Sequence, residues 1–340
     1  MDGLENYFNR YLPSIEMEMR DVIRAYDEAP GELLGLLRYH LGWVDARFRP
    51  SDGRSGKRIR PVLCLLACEA CGGDWREALP AAAAIELLHN FSLIHDDIED
   101  QDEKRRGRPT VWSIWGEAQG INAGDTLFAV SQLAMLRLWE RGVPADTVVR
   151  AVRLFNETCV ALTGGQHLDI GFESEDVVSV EDYLTMVEGK TASLVACSCE
   201  AGALVADAPE AQRAALRAFG RHSGLAFQML DDVLGIWGDS AVTGKPVGAD
   251  VARGKKTLPL LHGLERSAEL RAIMAQDVRS EDDVRRATGI LERVGSRAYT
   301  EQLARHHHEQ ALAALVRANT QLTTAEALRA LAEKLLTRTQ

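Results

Sequence analysis

What this chain lacks narrows it first. No run of eighteen apolar residues occurs, so no stretch can cross a bilayer as a helix. The opening MDGLENYFNRYLP lacks the basic-then-apolar layout of a secretory signal, and a cytoplasmic location is expected. Basic excess is missing too. Net charge is −11 and the isoelectric point about 5.4, which disfavours nucleic acid as a partner. An anionic substrate must therefore be met by a local basic pocket. Alternating strand-like stretches are absent, as are long linkers, low-complexity segments and fixed-period repeats.

Six cysteines are present, but a cytoplasmic chain argues against disulfides. Cys64, Cys68 and Cys71 have a spacing also used to hold iron–sulfur clusters. They lie in the Ala/Leu-rich PVLCLLACEACGG, which reads as a helix with small buried thiols. Cys159, Cys197 and Cys199 form no pattern.

Helical periodicity runs almost throughout, in a chain 46% hydrophobic and 26% charged. AIELLHNFSLIH, TLFAVSQLAMLRLW, LVACSCEAGALVA and LRAFGRHSGLAFQMLDDVLGIW all read as helices. Ser179 marks one helix start, and Thr323 with Glu326 reads as a capping box. Breaks fall at 50–56, 71–74, 142–144 and 239–254. His306, His307 and His308 read as exposed surface on a polar helix. The expectation is one all-α domain over residues 1–340, with roughly ten or more helices around a central cleft.

Two aspartate pairs carry the chemistry: Asp96-Asp97 in LIHDDIED and Asp231-Asp232 in FQMLDDVLG. Asp96 and Asp100 lie four apart, about one helical turn, with Asp97 alongside. A single acidic run is usually a solvated face, but here each pair ends a mostly apolar segment. Carboxylates so crowded repel unless a cation sits among them, and oxygen-only sets suit Mg²⁺ with phosphate oxygens. Two such pairs point to two walls of a cleft that grips a polyphosphate through metal.

Basic residues accompany them. Lys57 and Arg60, three apart, read as one side of a first helical turn, and Arg105 and Arg106 sit in the loop KRRGRPT. Lys190-Thr191 interrupts a helix at EGKTASL, while Lys245 and Lys255 lie in the Gly-rich TGKPVGADVARGKK. Together they exceed what one metal-bound diphosphate needs, which points to a second phosphate held directly by Lys and Arg. His89 precedes Asp96 by two turns on nearly the same face and reads as a substrate contact; His95 points elsewhere and reads as structural.

GKRIRP, LLHNFSLIHDDIEDQDEKRRGRPT, GGQHLD, GKTASL, FQMLDD and GKPVGADVARGKKTLP stand in the order typical of trans-isoprenyl diphosphate synthases. The chain resembles that family over residues 56–260, and its short-chain geranylgeranyl and farnesyl members in particular. The resemblance implies the all-α isoprenoid synthase fold, usually a homodimer, and Mg²⁺-dependent head-to-tail condensation of isopentenyl diphosphate with an allylic diphosphate, with three ions per site. It implies that Asp96, Asp97, Asp100, Asp231 and Asp232 bind the metal. Arg105, Lys190 and Lys245 would grip the allylic diphosphate, with Gln166, Asp169, Thr191 and Gln228 at the reacting end. Lys57, Arg60, His89 and Arg106 would hold isopentenyl diphosphate, and Lys255 would close over the site. Asp96, Asp97, Lys190, Gln228 and Asp231 would be the catalytic set.

The second motif departs from the family's DDxxD: Gly235 stands at its last position, and Asp239 one turn later is expected to compensate in part. Product length is expected to depend on residues below the first motif, at about 5.4 Å per turn. Bulky Phe91 beside small Ser92, with medium-sized Leu88 and Ile85 further on, resembles enzymes that stop at C20, with C15 as the alternative. A class I terpene cyclase shares the fold, but it takes one diphosphate and usually pairs its first motif with an Asn/Ser/Glu cluster. A partner subunit of a heteromeric synthase typically loses the first motif or its arginines, which are retained here.

Overall fold

Runs of Ala and Leu with few β-branched interruptions form helices throughout, because these side chains lose little rotamer freedom in a helix. The computed structural model describes residues 2–28, 32–51, 53, 56–175, 177–239, 247–276 and 278–336. In chain order the helices are α1 (Asp2–Arg24), α2 (Leu33–His40), α3 (Ile59–Ala70), α4 (Leu79–Glu99), α5 (Val111–Trp115), α6 (Glu117–Leu136), α7 (Ala145–Ser174), α8 (Val180–Val187), α9 (Ser193–Val205) and α10 (Glu210–Trp237). They continue with α11 (Ala249–Arg253), α12 (Leu258–Arg266), α13 (Ala268–Met274), α14 (Glu281–Arg293), α15 (Ser296–Ala318) and α16 (Leu322–Leu336). The all-α expectation holds. No helix among the described residues is long and apolar enough to cross a membrane.

Contacts divide the chain into two compact units. The first comprises Met1–Asn156, Ser198–Arg213 and Thr320–Ala327. Its centre is α4, whose residues from Leu79 to Leu88 are all buried and all apolar but Glu86; a helix so nearly apolar all round belongs inside a bundle. The thiols of Cys64 and Cys68 are buried on α3, and none of the six cysteines forms a disulfide. The second unit comprises Glu157–Cys197, Ala214–Asn319 and Leu328–Gln340. Phe172, Tyr183, Met186, Val187, Leu225, Met229, Leu258 and Leu261 pack as one core there, and Ile236, Val251, Leu260, Ile273 and Ile290 as another.

Four local expectations change. The KRRGRPT loop is a hairpin of two short antiparallel strands, β1 (Lys104–Arg105) and β2 (Arg108–Pro109). Arg106 and Gly107 both have positive φ, 54° and 79°, the backbone of a tight type I′ turn. The break at 239–254 contains α11. Ser179 does open α8 with a reciprocal cap to Asp182, but Thr323 lies inside α16, which begins at Leu322. Of the three histidines, only His306 is exposed; His307 and His308 are half-buried, and His307 stacks on His222.

Candidate active site

In the first unit, α3 begins later than its motif reads. Arg58 takes a left-handed backbone (φ 50°) as N-cap and turns inward, pairing with Glu86 at 2.8 Å. Lys57 therefore precedes the helix, exposed, rather than sharing its first turn with Arg60. Arg60 is half-buried, with one guanidinium nitrogen 3.3 Å from His89 Nε2. Its Nε has no hydrogen-bond partner. Burial, then the charges of Arg60, Arg106 and Arg105, hold His89 neutral, its pKa well below the usual histidine range. His40 is pushed down to about 3 by burial and by Arg105, Arg106, Arg58 and Arg108, and its Nε2 is also orphaned. His40 and Arg108 were not singled out by sequence; only their convergence in three dimensions marks them. Several guanidinium groups near buried, unpaired polar atoms of Arg60 and His40 suit an anion.

The first aspartate motif ends α4. Asp96 is half-buried and Asp100 exposed, while Asp97 turns inward at 2% exposure. Successive helical residues point about 100° apart, so Asp97 does not share its neighbours' outward side. Arg105 Nε donates to Asp97 Oδ1 at 2.6 Å, and Oδ2 is buried without a partner. Burial pushes the Asp97 carboxyl up to about 6, with Arg105 opposing. Below the motif, Phe91 is buried against Phe128 of α6 and the ring of His95, at centroid distances of 5.2 and 4.8 Å. Leu88 and Ile85 are fully buried, and half-buried Ser92 donates to the His89 carbonyl. The His95 ring also sets its Nε2 3.6 Å from Asp125 Oδ1.

In the second unit, GKTASL does not break its helix but widens it: Glu188–Ala192 form a π-turn between α8 and α9. Gly165 makes this possible, since a Cβ there would fall 2.7 Å from the Gly189 carbonyl carbon and from the Met186 carbonyl oxygen. The bulge aims Lys190 Nζ at Asp169 Oδ2, 2.5 Å away on α7. Thr191 Oγ1 donates to Gln228 Oε1 at 3.0 Å, and Gln228 Nε2 donates to Asp232 Oδ1 at 3.1 Å. Asp232, 3% exposed, also accepts from the Tyr183 hydroxyl at 2.6 Å and the Leu258 amide at 3.0 Å. Burial pushes its carboxyl up to about 6 against those hydrogen bonds.

Asp231 beside it is exposed. Asp169, Tyr183, Lys190, Thr191, Gln228, Asp232 and Lys255 line one small pocket. Gln166 is half-buried on α7. Tyr183 was missed by sequence because it sits far from the motif it serves. Asp239 lies beyond the end of α10 and does not continue its Asp231 side, while Lys245 falls outside the described residues.

Each motif thus holds one aspartate inward by hydrogen bonds and presents one outward. Among the described residues no three acidic, His or Cys side chains converge on a point, so an ion here relies on few carboxylates plus other oxygens. That donor chemistry fits Mg²⁺, which takes one or two carboxylates with water and phosphate.

An all-α scaffold with outward aspartates and basic pockets suits the handling of diphosphates. Comparison with known proteins agrees. Residues 43–291 match the polyprenyl synthetase family model. A geranylgeranyl diphosphate synthase of Mycobacterium tuberculosis is 44% identical over 297 residues, 86% of this chain and 84% of that protein. A (2E,6E)-farnesyl diphosphate synthase of Mycobacterium bovis is 43% identical over 285 residues, 82% of this chain and 78% of that one. The crystal structure of a polyprenyl synthetase from Streptomyces coelicolor superposes with a TM-score of 0.90 at 35% identity, covering 98% of this chain and all of that one. The chain belongs to the polyprenyl synthetase family and is a prenyltransferase of short-chain prenyl elongation.

Proposed function

We propose that the protein is a geranylgeranyl diphosphate synthase, joining isopentenyl diphosphate head-to-tail to allylic diphosphates until the chain reaches C20. The contact of buried Phe91 with half-buried Phe128 supports this length assignment: the rings lie one to two turns below Asp96, where a growing tail advances about one isoprene unit per turn. Farnesyl diphosphate (C15) is the second reading, favoured by the near-equal identity of the farnesyl relative.

In this reading Asp96, Asp100 and Asp231 present oxygens to Mg²⁺, three ions per site, and Asp97 and Asp232 stand behind them. When bound, the metal supplies positive charge to the departing diphosphate. Asp97 fixes Arg105, and Asp169 fixes Lys190, so both cations are aimed before substrate arrives. Arg105, Lys190 and Lys245 take the allylic diphosphate; Lys57, Arg60, His89 and Arg106 take that of isopentenyl diphosphate. Neutral His89 can donate to a phosphate oxygen without adding charge to a crowded basic cluster.

The allylic C–O bond breaks with its electrons leaving on pyrophosphate. The isopentenyl double bond then attacks the allylic carbon, and the proton lost from the adduct passes to pyrophosphate. Thr191 and Gln228, in one hydrogen-bonded chain with Asp232, line the reacting end, and preorganised dipoles of this kind favour the charge that develops. Gln166 lies beside them in this reading, and Lys255 closes the pocket.

A homodimer is part of the proposal. Ile121, Leu133 and Leu136 of α6 are exposed at 46%, 36% and 49%, and Trp139 just beyond at 63%, an apolar surface that a second copy would cover. The test of the site reading is elongation by Asp96→Ala and Asp231→Ala across a Mg²⁺ series. Each is expected to lose on the order of 100-fold or more; activity near that of the unaltered protein in either would remove its metal role.

A further inference from the structure

The second motif lacks its third carboxylate, yet the space for one is filled. Gly235 follows Asp231 by one helical turn, so a side chain at 235 would share Asp231's side of α10. A Cβ built there would fall 2.6 Å from the Asp250 carboxyl carbon, 3.2 Å from Oδ1 and closer still to Oδ2. Any residue larger than glycine at 235 meets the Asp250 carboxylate where it stands, so that side chain must turn away to admit it.

Asp250 reaches that position from α11, and its backbone is well anchored. Gly248, the α11 N-cap in left-handed conformation (φ 76°), donates its amide to the Ile236 carbonyl at 3.0 Å. Val251 is fully buried in the core that contains Ile236. The Lys255 amide donates to the Asp250 carbonyl at 3.0 Å, closing the short helix on itself. The half-buried Asp250 carboxylate has no hydrogen-bond or ion-pair partner among the described residues. A half-buried carboxylate set against a helix, with no partner among the described residues, suits a cation.

We propose that Asp250 supplies the oxygen donor missing from the second motif, and that glycine at 235 is what admits it. The donor has moved from α10 to the neighbouring α11 while its carboxylate stays near the place a side chain at 235 would occupy. This rests on the metal reading of Asp231 above. Asp250 would act as a metal ligand beside Asp231, on the same cation.

The test uses the full chain, with Mg²⁺ and inorganic pyrophosphate as probe, and follows the rise in melting temperature as Mg²⁺ is titrated. Asp250→Ala and the isosteric Asp250→Asn are expected to raise the Mg²⁺ midpoint about tenfold while melting normally without metal, the scale seen when a supporting carboxylate is lost. Gly235→Asp alone is expected to raise it similarly, because two carboxylates compete for one space. The swap Gly235→Asp with Asp250→Gly is expected to return it to within about threefold of the starting protein. A merely structural Asp250 would not give that rescue. Unchanged midpoints in both Asp250 variants, or a swap no better than Gly235→Asp alone, would overturn the proposal. Asp231→Ala separates the two levels. If it abolishes the Mg²⁺ response while the Asp250 variants keep it, this inference alone falls; if it too keeps the response, the metal reading of the motif falls and this inference with it.

Discussion

Arg105 on β1 donates its Nε hydrogen to Asp97 on α4 at 2.6 Å, so the arginine hairpin is tied to the first aspartate motif by one charged hydrogen bond. The partner is 2% exposed, and a buried carboxylate that has lost its cation, or the reverse, is strongly penalised. Asp97→Ala is therefore expected to abolish elongation at any Mg²⁺ concentration, by on the order of 100-fold or more. Steady-state incorporation of isopentenyl diphosphate over a Mg²⁺ series checks this, and near-normal turnover would remove Asp97 from the active site.

Phe91 and Phe128 meet at a centroid distance of 5.2 Å beneath the first motif. Phe91→Ala is expected to open that floor and lengthen the product by one or more C5 units, the span of about one helical turn. Phe128→Ala is expected to do the same to a smaller extent. Mass analysis of the dephosphorylated products reads the outcome, and an unchanged length in Phe91→Ala would refute the floor assignment.

Gly165 lets α7 touch the π-turn that carries Lys190. Gly165→Ala places a methyl 2.7 Å from backbone atoms on the opposite side, where nothing flexible can yield. Overpacking of this kind costs about 1–3 kcal/mol, or about 2–10 °C in melting temperature for a chain this size. The expected result is a drop in that range together with a lower kcat, since Lys190 moves with the bulge. An unchanged melting curve would show that the contact is not tight.

His222 and His307 face each other with Nδ1 atoms 2.9 Å apart, so one of the two nitrogens must be unprotonated. Burial, then His222, His306 and Arg221, hold His307 down to about 4, while Glu188 opposes. Burial and Arg221 also lower His222. Facing the pair are Arg221, itself paired with Glu188, and His306 on the next helical position. Because the unfolded chain takes up these protons near 6.5 and the folded one only lower, stability falls as pH drops from about 6.5 towards 4. His307→Phe is expected to flatten the melting temperature in that window relative to the unaltered protein. Equal slopes in both would exclude the pair as the source.

The helices and both aspartate pairs are legible in the sequence because each is a local signal: apolar residues at helical period, and acidic pairs ending apolar runs. The basic residues of the motifs are legible as types. Their pairings are not. Whether Asp96 or Asp97 points outward depends on Arg105 coming back from a hairpin whose left-handed Arg106 carries no glycine signal. Asp232 turns inward for Tyr183 and the Leu258 amide, which lie on other elements and share no spacing with it. Arg58 reads like its neighbours Lys57 and Arg60, yet a buried Glu86 on α4 claims it. Asp239, one turn beyond Gly235, lies past the end of α10, while the Asp250 carboxylate of α11 lies against Gly235 itself.

The most direct measurement is the mass of the product formed from purified protein, Mg²⁺ and isopentenyl diphosphate with C5, C10 or C15 allylic diphosphate. A linear C20 diphosphate from every primer is the expected result; a product ending at C15 would keep the chemistry and move the floor. A cyclic hydrocarbon, or no product from any primer, would contradict the elongating synthase proposed here.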